Sequence, residues 1–139
     1  MSFSIDGKTA IVTGSANGVG LAIGRHFLAE GANVVFADMD EAALEKELGK
    51  PEDGDAFRTF ACDLRKKLSL ANLLSMTIDA FERVDILVNA ARQMFVSDPL
   101  DPKEDAVADA LDQNLMPALR LTQVIAKRMM KQAEEGDED

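Results

Sequence analysis

The sequence contains no tryptophan and no tyrosine, and only one cysteine and one histidine. A single cysteine, Cys62, excludes an internal disulfide and any multi-cysteine metal centre. A single histidine, His26, leaves no basis for a metal cluster or a histidine-based triad, so no bound metal is expected. No uninterrupted apolar run approaches the roughly 20 residues that span a bilayer. The opening MSFSIDGK sets Asp6 within the first apolar stretch and does not follow the layout of a secretory leader. Basic residues are also scarce: 15 Lys and Arg stand against 25 Asp and Glu, a formal net charge of −10. That balance gives no footprint for nucleic acid. Five of the acids fall in the closing EEGDED (134–139), so half of the net charge is local. A soluble, cytoplasmic protein without membrane or nucleic-acid partners is expected.

What is present is ordinary globular material. The chain has 139 residues, 47% of them hydrophobic, too apolar for a disordered segment and sized for one domain. KTAIVTG (8–14) is short and β-branched, as a strand buried on both faces should be. After GSANG, the segment VGLAIGRHFLAEG predicts a helix with Val19, Ile23 and Phe27 on its apolar face and Gly31 at its C-terminal cap. ANVVFAD (32–38) predicts a second strand, and 40–50 a helix capped by Asp40. A third strand is expected over 57–64, a helix over 68–84 and a fourth strand over 85–91. A loop with Pro99 and Pro102 then leads into a long helix at about 103–132. Strands alternating with helices imply right-handed crossovers and a parallel sheet, and the expected architecture is a doubly wound α/β fold with the strand order 3-2-1-4 of dinucleotide-binding folds.

The strongest chemical signal is TGSANGVG, Thr13 to Gly20, set between the first strand and the first helix. Gly14 lets the chain leave the strand in a tight turn. Gly18 leaves room for a diphosphate to approach the backbone, and Gly20 allows close packing of helix against sheet. Phosphate oxygens would meet free N–H groups at the positive end of the helix. Asn17 and Val19, between the glycines, belong to the same cofactor-binding turn. Asp38 ends the second strand 18 residues past Gly20, where a dinucleotide-binding fold needs an acid for the adenosine ribose hydroxyls. A carboxylate there repels a 2′-phosphate, and no Arg or Lys occupies 15–19 or 39 to receive one. NAD is therefore the expected cofactor, rather than NADP.

The spacing T-G-x-x-x-G-x-G resembles that of the short-chain dehydrogenase/reductase family. CDL (62–64) is similar to the family's Asp-Leu/Val pair, which implies that Asp63 bonds the adenine amino group. DILVNAAR (85–92) resembles D-I-L-V-N-N-A-G, implying ribose-side contacts from Asn89 and Ala91. Asn114, in NLMPALRLTQ, matches the helix asparagine that anchors a proton-relay water. Pro117 lies three residues beyond and withholds the N–H that would bond the Gln113 carbonyl, so a bend that frees acceptors beside Asn114 is expected.

Two departures stand out. Arg92 replaces the family's glycine and is either a solvated loop arginine or a partner for an acidic substrate. The family's catalytic tyrosine, with its lysine four residues on and a serine upstream, has no counterpart here: Tyr is absent and the last serine is Ser97. The resemblance implies hydride transfer between nicotinamide and an alcohol or ketone, with Asn114 as the one catalytic residue present. This chain is expected to supply the cofactor-binding half, 1–133, followed by an acidic tail or surface loop, 134–139, and to be inactive alone. A non-catalytic dinucleotide-binding module and one half of a split enzyme remain as alternatives. The family also implies a homo-oligomer, partly through the 103–132 helix. Cys62 is expected to be a small buried apolar group, His26 a solvated or half-buried side chain, and the stripe Val124, Ile125, Met129 and Met130 a packing face.

Overall fold

The computed structural model describes residues 3–103 and 106–136. Four parallel strands, β1 (Thr9–Thr13), β2 (Asn33–Asp38), β3 (Phe57–Ala61) and β4 (Ile86–Val88), form one sheet of order β3-β2-β1-β4. This is the expected order, with the reversal between β1 and β4. The connecting helices are α1 (Gly18–Ala29), α2 (Glu41–Leu48) and α3 (Lys67–Phe81).

Side chains alternate across the central strands and build two cores. Val12, Val34 and Phe36 point to one face and meet Leu21 of α1 and Leu44 of α2. Ile11, Val35 and Ala37 point to the other and meet Leu70 and Leu73 of α3. β1 is buried at all five positions, which is why its sequence reads as a continuous apolar run. The strand ends are shorter than expected. β3 stops at Ala61 and β4 at Val88, because the chain beyond each leaves the ladder to build the cleft described below.

The α1 face also differs from expectation. Its buried residues are Gly20, Leu21 and Gly24, with Phe27 and Leu28 packed alongside, whereas Val19 is 71% exposed. A Cβ at Gly24 would stand 2.2 Å from the Phe36 ring, so small residues set the depth of this contact and the larger apolar ones flank it. Gly31 has φ 89°, the left-handed conformation expected just past the helix end. Asp40 caps α2 as expected, its Oδ1 accepting from the Ala43 N–H at 2.9 Å.

The long final helix is interrupted. α4 (Ala106–Ala110) passes into a π-helical turn, Leu111–Leu115, and then into α5 (Met116–Glu134). Pro117 has no N–H for the Gln113 carbonyl, and the preceding turn widens so that the Met116 N–H reaches back to the Leu111 carbonyl. Residues 104 and 105 at the expected helix start, and 137–139 of the acidic tail, lie outside the described residues. On α5, Leu121, Ile125 and Met129 face the α3-side core, while Met130 is 65% exposed. Gln132 near its end holds the entry to β4, accepting from the Val84 N–H at 3.0 Å and donating to its carbonyl at 2.8 Å. Val107, Leu111, Leu115 and Leu119, four residues apart, are all exposed.

Candidate functional site

The carboxyl ends of β1, β2, β3 and β4 open on a cleft of about 470 Å³. Gly14, Asn17, Gly18, Val19 and Gly20 form one wall. Asp38 and Asp63 stand at the ends of β2 and β3, and Ala91 faces them from the segment after β4. Eight of the nine residues expected to bind cofactor therefore converge on one crevice at the reversal of the sheet, where ligands of such folds sit.

Asn89 is the exception. Its Nδ2 donates to Thr122 Oγ1 at 3.0 Å, tying the end of β4 to α5, and it borders only a small void of about 10 Å³ beneath the cleft. Thr122 is a residue that sequence reasoning missed, since a mid-helix threonine carries no spacing signal. Asn114 borders the same void.

The glycines act as their positions suggest. Gly14 has φ 63°, and a Cβ there would stand 2.5 Å from the Ala91 Cα, so the first turn and the β4 segment touch backbone to backbone. A Cβ at Gly20 would stand 2.4 Å from the Gly14 carbonyl oxygen, so α1 starts directly against the turn. Gly18, at φ 55°, has no atom within 4 Å of where a side chain would begin. The turn is packed shut at its ends and open in its middle.

Thr13, which opens the glycine motif but has no side-chain role in the sequence reading, holds both sides together. Its Oγ1 accepts from the N–H groups of Ala90 at 3.2 Å and Ala91 at 3.3 Å, and donates to the Val88 carbonyl at 3.4 Å. Asn114 grips the next part of the same segment. Its Oδ1 accepts from the Gln93 N–H at 2.6 Å and its Nδ2 donates to the Gln93 carbonyl at 2.8 Å.

Asp38 is oriented by the backbone: Oδ2 accepts from the Ala16 N–H at 3.0 Å and Oδ1 from the Asp40 N–H at 2.9 Å. Asp63 is gripped by Arg65, whose Nε and guanidinium lie 2.8–3.2 Å from its two oxygens. That side-chain bonding holds the Asp63 carboxyl below the usual carboxylate range. Arg65 also reaches within 3.9 Å of Asp112 on the π-helical turn. Between the two acids, Cys62 is half-buried, and burial, followed by the Asp38 and Asp63 charges, pushes its thiol up to about 11. The expectation of a buried group holds only in part: Cys62 packs partly against the α3-side core and also lines the cleft, with its thiol protonated at neutral pH. His26 is exposed on α1, away from the cleft lining.

The sheet order and glycine turn define a Rossmann-type fold, and comparison with known proteins narrows it. Residues 8–137 match the sequence profile of the family described as short chain dehydrogenase. The chain is 34% identical over 136 residues to the D-threitol dehydrogenase of Mycolicibacterium smegmatis, covering 93% of this chain and 50% of that protein. It is 32% identical over 130 residues to a diacetyl reductase [(S)-acetoin forming] of Staphylococcus epidermidis, covering 93% and 51%. The crystal structure of 3-ketoacyl-(acyl-carrier-protein) reductase from Brucella melitensis complexed with NADH matches with a TM-score of 0.79 and 27% identity, covering 96% of this chain and 55% of that one. The chain belongs to the short-chain dehydrogenase/reductase family, a family of oxidoreductases. It spans about half the length of the curated relatives it matches.

Proposed function

We propose that this chain is the cofactor-holding half of an NAD-dependent short-chain oxidoreductase acting on an alcohol or ketone. The observation that carries the reading is the convergence of the open middle of the glycine turn and the Asp38 carboxylate on one cleft. The residues present fit a dinucleotide: the space at Gly18 admits a diphosphate to the backbone, and each Asp38 oxygen keeps a lone pair for a ribose hydroxyl. Val19, Met39 and Leu64 supply apolar walls, and the Asp63 carboxylate is available to an adenine amino group on the side that Arg65 does not cover.

When bound, the nicotinamide would carry the hydride, accepting it from an alcohol or giving it to a ketone. The chain's own part is to orient and to exclude the wrong cofactor. A 2′-phosphate beside Asp38 would meet a fixed carboxylate with Asp40 and Asp63 nearby, and the neighbouring Arg65 is already engaged by Asp63. Ala91 would approach the ribose through its backbone, and Asn89, held by Thr122 outside the cleft, would steady the segment that carries Ala91. Asn114 keeps one N–H and one lone pair for a relay water after gripping Gln93. Self-association of two copies over the row Val107, Leu111, Leu115 and Leu119 belongs to the same reading, with light scattering of Leu115→Glu against wild type as its check.

No tyrosine is present among the 139 residues, which favours a second reading, dinucleotide holding without turnover by this chain alone. Calorimetric titration separates these from other functions. NAD is expected to bind at least tenfold more tightly than NADP. Tighter binding of NADP, or binding of neither, would overturn the proposal. Absorbance at the NADH band with alcohol substrates then distinguishes turnover from holding.

A further inference from the structure

Five charged side chains line the large cleft: Asp38, Asp40, Asp63, Arg65 and Arg92. Four are committed within the chain. Asp38 accepts from two backbone N–H groups, Asp40 caps α2, and Asp63 and Arg65 hold each other. Arg92 alone has no hydrogen bond or ion pair among the described residues. The turn from Gly14 to Gly20 carries no Lys or Arg, so without Arg92 the one cation lining the cleft is Arg65, already held by Asp63, beside neutral amide donors and three carboxylates.

The backbone that carries Arg92 is fixed on both sides. Ala90 and Ala91 are pinned by Thr13, and Gln93 is pinned by Asn114. Pinning on both sides confines the reach of its guanidinium. Positive φ among the described non-glycine residues occurs only at Glu82, so an arginine is accommodated at 92 without the left-handed conformation that would call for glycine. Its place also bears on the group it can meet. The strand that precedes Arg92, β4, is separated from β2, which Asp38 ends, by β1, so the two strands lie two spacings or roughly 10 Å apart. Ala90 and Ala91, which lead into Arg92, are packed against Gly14, and this sets Arg92 on the glycine-turn side of the cleft.

We propose that Arg92 is the anion-binding side chain of this cleft, donating from its guanidinium to the diphosphate that joins the two halves of the dinucleotide. The role rests on the dinucleotide reading above and adds a charged donor to a turn otherwise built from backbone. A planar fork with several N–H donors suits neighbouring phosphate oxygens. It also offsets the acidic lining, which would otherwise resist a dianionic group.

The test is calorimetry of the whole chain with two probes, ADP-ribose, which carries the diphosphate, and adenosine, which does not. Arg92→Met keeps the apolar stem and removes the charge. It is expected to weaken ADP-ribose by about three- to tenfold while leaving adenosine unchanged. Arg92→Lys should recover part of the loss, restoring the charge without the planar fork, and the gap between wild type and Arg92→Met should narrow as salt rises. Equal ADP-ribose affinity in wild type and Arg92→Met would overturn the assignment, as would an equal loss for both probes. Wild type that binds neither probe would instead remove the dinucleotide reading itself.

Discussion

Asn114 holds the peptide group on either side of Gln93 Cα: its carboxamide oxygen accepts the Gln93 N–H at 2.6 Å while its nitrogen donates to the Gln93 carbonyl at 2.8 Å. A side chain on the π-helical turn thus completes a two-bond ladder with the segment after β4. Asn114→Ala is expected to cost about 1 kcal/mol, the net worth of such partly solvated bonds. It should also speed proteolytic nicking near 90–96. An unchanged melting midpoint together with unchanged nicking would show that the pairing holds nothing in place.

Thr13 offers a sharper case because its side chain is buried and serves three partners. Thr13→Val conserves shape but leaves the Ala90 and Ala91 N–H groups without their acceptor. The expected loss is about 1–3 kcal/mol, read by urea unfolding. Thr13→Ser should restore most of it. A valine variant as stable as wild type would mean that these two N–H groups find other partners.

The glycines of the turn should separate by phenotype. Gly20→Ala drives a Cβ to 2.4 Å from the Gly14 carbonyl oxygen, where backbone must move, and should destabilise by about 2 kcal/mol or more. Gly18→Ala meets no atom within 4 Å and faces only the cost of φ 55°, about 1–2 kcal/mol. Its larger effect should fall on ADP-ribose affinity. Thermal scans beside calorimetry would decide, and the reverse ordering of stabilities would refute the packing argument.

Much of this was visible in the sequence, for identifiable reasons. The parallel sheet followed from alternation and from the unbroken apolar runs of β1 and β2, its strand order from the dinucleotide-binding pattern, and the glycine turn from spacing. The face of α1 did not, because the periodicity of Val19, Ile23 and Phe27 ignores that glycines can be the residues in contact. Pro117 signalled a disturbed helix, yet not its form. A missing N–H says which bond is lost, while the π-helical turn depends on where the Met116 N–H goes instead. The grips of Asn114 on Gln93 and of Asn89 on Thr122 span 21 and 33 residues and leave no local pattern.

Acid and alkali should destabilise the fold through different groups. Asp63 and Asp85 both have carboxyls held below 3.8. At Asp63 the Arg65 bonds dominate; at Asp85 burial opposes the shift and is outweighed by the Arg83 fork, the Thr9 N–H and nearby positive charge. A lowered carboxylate contributes stability that is fully present above about pH 3.8 and is lost as pH falls through the lower folded values. Cys62 acts in the opposite range. Its folded thiol, at about 11 against 9.0 when free, makes stability decline as pH rises from 9 towards 11, where the unfolded chain ionises first. Cys62→Ser should flatten the alkaline limb of a stability-against-pH curve and leave the acid limb unchanged. An alkaline limb that survives in Cys62→Ser would assign it to other groups.

The hydroxyl of Thr13 gives the first strand a direct hold on the fourth at the floor of the cleft. Whatever seats itself on the glycine turn should therefore stiffen the fourth strand along with the first. Deuterium uptake at the amides of 86–91 should slow on addition of a nucleotide in step with that at 14–20, so the two stretches would open to solvent as a single unit.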